Sequence, residues 1–129
     1  MNGGTTLQKL LIVDDEEGVR ALVRMTLNTN EYQILEASDG SQALGLARDH
    51  HPDLVLLDVM LPDLSGIDIC RELKGDPDMA STTIVMLTAK AQSTDYGEAE
   101  DAGADGYFTK PFSPIALIQK VESVLGGAR

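Results

Sequence analysis

Apolar residues in this chain fall into short consecutive runs, and between the runs they recur every three or four positions. Leu10-Leu11-Ile12-Val13, Leu54-Val55-Leu56-Leu57 and Ile84-Val85-Met86-Leu87 contain no polar member. A strand covered on both faces has this pattern, and both faces of a parallel sheet are covered. Strands are predicted over 9–13, 32–37, 53–59, 82–88 and 106–109. Helix-period segments are predicted over 16–28, 41–49, 65–74, 95–102 and 113–125. Five strands alternating with five helices define an α/β fold, an open doubly wound parallel sheet with helices on both faces. Residues 32–37 alternate polar with apolar and suit an edge strand. Ser113-Pro114 caps and opens the last helix, and Gly126-Gly127 stops it. The segment 95–102 carries Gly97 and four acids for few core-sized side chains, so it should be a short helix and the least stable.

Length and composition narrow the class. A chain of 129 residues with 43% hydrophobic content makes one domain and excludes a disordered polar segment. The boundaries expected are a loose tail over 1–6, a domain over 7–125 and a short tail over 126–129. Cys70 is the one cysteine, so no intrachain disulfide forms, and no Cys/His cluster has zinc-ligand spacing. With Met79 and Met86 it reads as packing, and His50 and His51 read as helix-end residues without chemistry. No charged start precedes an apolar stretch and no run is long enough for a membrane span, so a cytoplasmic chain with no membrane contact is expected. Ten basic residues against 21 acidic ones give a net charge of −11. Phosphate backbones need clustered Lys and Arg, so direct nucleic-acid binding is not expected.

In an open parallel sheet, ligands bind beyond the carboxyl ends of the strands. Here those ends carry Asp14-Asp15, Asp58, Thr88 and Lys110-Pro111. Each has a plain alternative: helix-start acids for Asp14 to Glu17, a turn for Asp58, ordinary strand use for Thr88, a solvated amine for Lys110. Glu16 and Glu17 are assigned to the helix start. Together the five make one rim, where three carboxylates cannot all stay ionised without compensation. Mg²⁺ suits such a site, because it takes hard oxygen ligands through one or two carboxylates and a phosphoryl oxygen.

The motifs LLIVDDE (10–16), LVLLDVMLPDLSG (54–66), MLTAK (86–90) and GADGYFTKPF (103–112) resemble the receiver domain of bacterial two-component response regulators over about residues 7–125. The resemblance implies strand order 2-1-3-4-5. It implies that Asp58 accepts a phosphoryl group, and that Asp14, Asp15, Asp58 and the Met60 carbonyl hold Mg²⁺, one aspartate through water. Lys110, Thr88 and Ala89 would bind the phosphoryl oxygens, Thr88 and Tyr107 would form the switch, and Pro111 would follow a cis peptide bond. Tyr107 could equally be a half-buried strand aromatic with a wet hydroxyl. The implied role is a phosphorelay step: a sensor histidine kinase or histidine phosphotransfer protein phosphorylates Asp58. The face of the fourth helix, fifth strand and fifth helix then changes shape for a downstream protein or output domain. The chain would catalyse only its own phosphorylation and dephosphorylation, standing alone or excised from a longer regulator.

Three positions depart from winged-helix regulators of this family, which dimerise through ion pairs on that face. Gly106, Ala116 and Lys120 stand where many have an acid, a glutamate and an arginine, so a monomer or weak dimer is expected. Lys90 and Met60, each two residues past a site residue, flank the path of an attacking water. Two other classes compete. A magnesium-dependent aspartyl phosphatase needs an acid two residues after its nucleophile, where Met60 stands. An interaction module without phosphorylation would not need the set Asp14, Asp15, Asp58, Thr88 and Lys110.

Overall fold

In the central strand every residue from Leu54 to Asp58 is buried, and successive side chains go to opposite faces of the sheet. A computed structural model describes residues 7–27, 30–89 and 94–126. Its elements are β1 (Gln8–Val13), α1 (Glu17–Thr26), β2 (Tyr32–Ala37), α2 (Gly40–His50), β3 (Leu54–Asp58) and α3 (Gly66–Lys74). They continue through a 3-10 turn (Pro77–Met79) to β4 (Thr83–Ala89), α4 (Thr94–Asp101), β5 (Gly106–Lys110) and α5 (Pro114–Leu125). All four strand pairings are parallel, in the order β2-β1-β3-β4-β5. The strand order matches the sequence expectation, and β2 is an edge.

Alternation along the strands divides the core into two. Leu10, Ile12, Leu54, Leu56, Val85 and Leu87 pack with Val23 of α1 and with Leu117 and Val121 of α5. Leu11, Val13, Val55, Leu57, Ile84 and Met86 face α2, α3 and α4, through Ala43, Ala47, Ile69, Cys70, Leu73 and Ala99. The apolar runs are therefore apolar on both faces because helices cover both. Cys70, Met79 and Met86 are buried packing residues, as expected.

Element ends differ from expectation by one or two residues, for local reasons. Helix α1 stops at Thr26, where Leu27 turns extended; the expected end at Asn28 lies outside the described residues. Thr82 precedes β4, because its amide closes the turn onto Met79 and its hydroxyl donates to Pro52 O at 2.8 Å. The unexpected 3-10 turn opens on Asp76, whose carboxylate accepts from the Asp78 amide, followed by Pro77. That is the same cap-then-proline signal as Ser113-Pro114, on a shorter element. Ser113 accepts from the Ala116 amide, and Gly126 ends α5 at φ +78°. The tails over 1–6 and 127–129 lie outside the described residues.

A long-range anchor joins the β3–α3 loop to α2. The Asp63 carboxylate accepts from the amides of Gly40 at 2.7 Å and Ser41 at 3.1 Å, and from the Ser41 hydroxyl. These donors hold its pKa below the ordinary carboxylate value, the Gly40 amide most of all. Asp63→Ala is expected to lower the midpoint of urea unfolding, because charge-assisted bonds to helix-start amides are lost.

Candidate functional site

The carboxyl edge of the sheet gathers its charges because β1, β3 and β5 all end there in ionisable residues. Asp14 follows β1 directly, and its amide extends the ladder to Ala37 O at 3.0 Å. Its side chain is fully buried. One carboxylate oxygen accepts from the Glu16 amide at 2.9 Å and the other from Lys110 Nζ at 2.9 Å. Asp58 closes β3 at 7% exposure. Lys110 Nζ lies 3.4 Å from Asp58 Oδ2, and the Met60 amide donates to Asp58 Oδ1 at 3.4 Å. Asp15 is exposed at the rim of the same cluster.

Lys110 crosses from β5 to reach these groups. Asp14 is its nearest carboxylate, at 2.9 Å; Glu16 Oε1 lies at 3.3 Å and Asp58 Oδ2 at 3.4 Å. Burial acts to lower the lysine pKa, but the bond to Asp14 and the charges of Asp58 and Asp14 outweigh it, and the net direction is upward. Lys110 is thus a fixed positive charge. For Asp58 the balance runs the other way. Burial, then repulsion from Asp14, raise its pKa to about 6 against the pull of Lys110 and the Met60 amide.

Asp14, Asp15 and Asp58 each bring one carboxylate oxygen within 4.8 Å of the others. With Glu16 they make four acids around one ammonium, so the site retains negative charge for a cation. The donors are all hard oxygens, the set that suits Mg²⁺. An open cleft of roughly 330 Å³ lies over them, lined by Asp15, Glu16, Asp58, Met60, Ala89 and Lys110.

The remaining predicted residues sit close by, with one exception. Thr88 is buried one position beyond Leu87, the residue paired with Asp58, and Ala89 pairs with Lys110. The Lys110–Pro111 bond is cis, as the resemblance implies. Tyr107 pairs with Met86 and packs half-buried against the core beneath α2, α3 and α4, outside the cleft. Burial and the acids Glu100 and Asp101 of α4 raise its phenol pKa. Lys90 lies outside the described residues.

Two residues of the site escape the sequence reading. Glu16, assigned to the helix start, makes no side-chain cap bond and reaches Lys110 instead. Its partner is 94 positions away, so spacing gives no signal for it. Gly66, which reads as turn punctuation, lies against the backbone behind Asp58. A Cβ there would collide with the Asp58 carbonyl oxygen and meet the Asp58 carbonyl carbon at 2.9 Å. The Gly66 amide bonds Val59 O at 2.8 Å, so the close approach is part of the loop.

The chain belongs to the response regulator receiver domain family, whose model matches residues 10–122. Aspartate phosphorylation that switches the domain is the general function of this family. The chain is 43% identical over 118 residues to the Bacillus subtilis alkaline phosphatase synthesis transcriptional regulatory protein PhoP, covering 92% of this chain and 48% of that protein. It is 41% identical to the DNA-binding response regulator MtrA of Mycolicibacterium smegmatis, covering 94% and 52%. It thus spans about half the length of these relatives. Among solved structures, the Vibrio cholerae chemotaxis response regulator CheY4 superposes with a TM-score of 0.85 at 31% identity, covering 92% of this chain and 99% of that one. The receiver domain of a Pseudomonas aeruginosa sensor histidine kinase, with magnesium coordinated in its active-site cleft, has a TM-score of 0.83 at 28% identity, covering 95% and 100%. The expectation of no nucleic-acid partner finds no support here, since a relative is itself named as DNA-binding. No described helix is long and apolar enough to cross a membrane.

Gly66→Ala is expected to destabilise the domain by about 2 kcal/mol or more in denaturant unfolding, because backbone has to move. A pH dependence follows from Asp58. The unfolded carboxyl ionises near its ordinary value of 3.8 and the folded one near 6. Between these values the folded state binds more protons, so this group lowers stability as pH rises from about 4 to 6. Metal-free Asp58→Asn should therefore melt above wild type at pH 8, with the gap closing as pH falls from 6 to 4. Equal melting temperatures at pH 8 would contradict the raised value.

Proposed function

We propose that Asp58 is the phosphoacceptor of this receiver and that Asp14, Asp15 and Asp58, with the Met60 carbonyl, hold Mg²⁺ beside it. The observation that carries the reading is the placement of Lys110 and the carboxylates of Asp14 and Asp15 around Asp58, open to solvent through one cleft. Bound Mg²⁺ supplies positive charge to the transferring phosphoryl oxygens.

The chain's own residues do the rest. An Asp58 carboxylate oxygen attacks the phosphorus of a phosphohistidine. The P–N bond breaks, and the imidazole leaves with the bonding pair and takes a proton from solvent. Asp58 is open to the cleft and is ionised above about pH 6, so the nucleophile is available at neutral pH. Lys110 already contacts Asp58 and neutralises a phosphoryl oxygen, while Thr88 and Ala89 lie at the end of β4 to bind others. Thr88 and Tyr107, on adjacent strands, transmit the change to the face of α4, β5 and α5.

The phosphodonor is a sensor histidine kinase or a histidine phosphotransfer protein. The reader of the switched face is a downstream protein or an output domain, and the protein acts in the cytoplasm as a monomer or weak dimer. Gly106 presents no side chain to Lys120, whose Nζ would lie 3.7 Å from a Cβ at that position. The ion-pair pattern of dimerising relatives is therefore incomplete at this position. The chain catalyses its own phosphorylation and dephosphorylation only.

Incubation with acetyl phosphate and Mg²⁺ should add one phosphoryl group, about 80 Da by intact mass. Asp58→Asn and omission of Mg²⁺ should each abolish the gain. Lys110→Ala should still label to some extent and show a blunted conformational response by NMR. Labelling of Asp58→Asn at another residue would overturn the assignment.

A further inference from the structure

Arg20 in α1 has three kinds of partner. Its Nη2 donates to Glu17 at 2.6 Å, its Nε to Glu36 of β2 at 3.3 Å, and its Nη1 to the backbone carbonyl oxygen of Asp14 at 2.8 Å. The side chain is only 16% exposed. The last bond is not part of a surface ion pair. It falls on the peptide joining Asp14 to Asp15, two of the three carboxylates that converge with Asp58. The Asp14 amide is bonded to Ala37 O, next to Glu36 in the same strand. Both polar groups of the Asp14 backbone are thus tied to β2, the amide directly and the carbonyl through Arg20 and Glu36.

Arg24, one turn further along α1, supplies an internal comparison. It bonds the same two acids, Glu36 at 2.7 Å and Glu17 at 3.3 Å. It carries the same charge but is 43% exposed, and neither bond reaches the Asp14–Asp15 peptide.

We propose that Arg20 is a positioning residue for the divalent-cation site. Its guanidinium fork fixes the Asp14 carbonyl against β2 and so sets the direction of the Asp14 and Asp15 carboxylates. The inference rests on the reading that these carboxylates hold Mg²⁺. Coulomb's law and positioning predict opposite signs. Removing a positive charge near an acidic site tightens cation binding if charge alone acts. Removing the group that aims the ligands weakens it.

The test is Mg²⁺ titration of the metal-free full chain by calorimetry, at low ionic strength and pH 7.5, with cooperative melting checked for each variant. Arg20→Gln should raise the Mg²⁺ Kd about tenfold. Arg24→Gln should leave it unchanged or lower it, and Arg20→Lys should fall between wild type and Arg20→Gln. Binding by Arg20→Gln as tight as wild type or tighter, or an equal loss in Arg24→Gln, overturns the proposal. If Arg20→Gln does not melt cooperatively, Arg20→Lys against Arg24→Gln decides. A greater loss in the lysine variant supports positioning, and an equal or smaller one overturns it. Absence of Mg²⁺ binding by wild type overturns the cation-site reading itself and this inference with it.

Discussion

The Lys110 ammonium, held between Asp14 and Asp58, makes the carboxyl edge of this sheet possible. Two buried carboxylates at the ends of neighbouring strands repel each other and lose hydration, and each effect alone is costly. Lys110 lies 2.9 Å from one and 3.4 Å from the other, reached from β5, the far edge strand. The compensation is incomplete, as the raised pKa of Asp58 shows. A site balanced in that way has room for further positive charge and for a group that brings it. Full neutralisation by the protein would have left a stable edge with no call for a cation.

The neighbourhood of Asp58 is stiff by comparison. Gly66 packs against its carbonyl, the Met60 amide donates to its carboxylate, and Asp63 fastens the intervening loop to the start of α2. Arg20 fixes the Asp14 backbone from the other side. The carboxylates of Asp14 and Asp58 are therefore held by the protein's own bonds. Pre-placed groups of this kind reduce the reorganisation needed when charge develops on a transferring phosphoryl group.

Much of this was legible in the sequence, and the parts that were not share a reason. The consecutive apolar runs identify strands buried on both faces, and their last residues name Asp14, Asp58, Thr88 and Lys110, because strand ends and ligand sites coincide in this architecture. Strand order came from the resemblance, since periodicity does not fix which strands are neighbours. Glu16, Gly66, Asp63 and Arg20 acquire their roles from partners or close approaches across the fold. Local pattern assigns them to caps, turns and solvated faces, which is where such residues usually belong. The missed 3-10 turn is different: Asp76-Pro77 carries an ordinary start signal, but the element is too short to show periodicity.

The two helices beside β5 differ in how firmly they are held, and this bears on what a phosphorylated edge could move. Helix α5 is anchored by Leu117 and Val121, both fully buried. Among the side chains described in α4, Ala99 is the buried one, with Ala102 just beyond the helix; Gly97, Glu98, Glu100 and Asp101 are exposed. Burial free energy scales with apolar area, so a methyl group holds far less than a leucine or valine. The side chains described at 97–101 of α4 therefore contribute less apolar burial than those of α5. An element with few buried apolar contacts is shifted by a small differential interaction. Burial first, and then the charges of Glu100 and Asp101 in and at the end of α4, raise the Tyr107 phenol pKa. For the output proposed above, α5 with its buried Leu117 and Val121 is the more firmly packed side of the face.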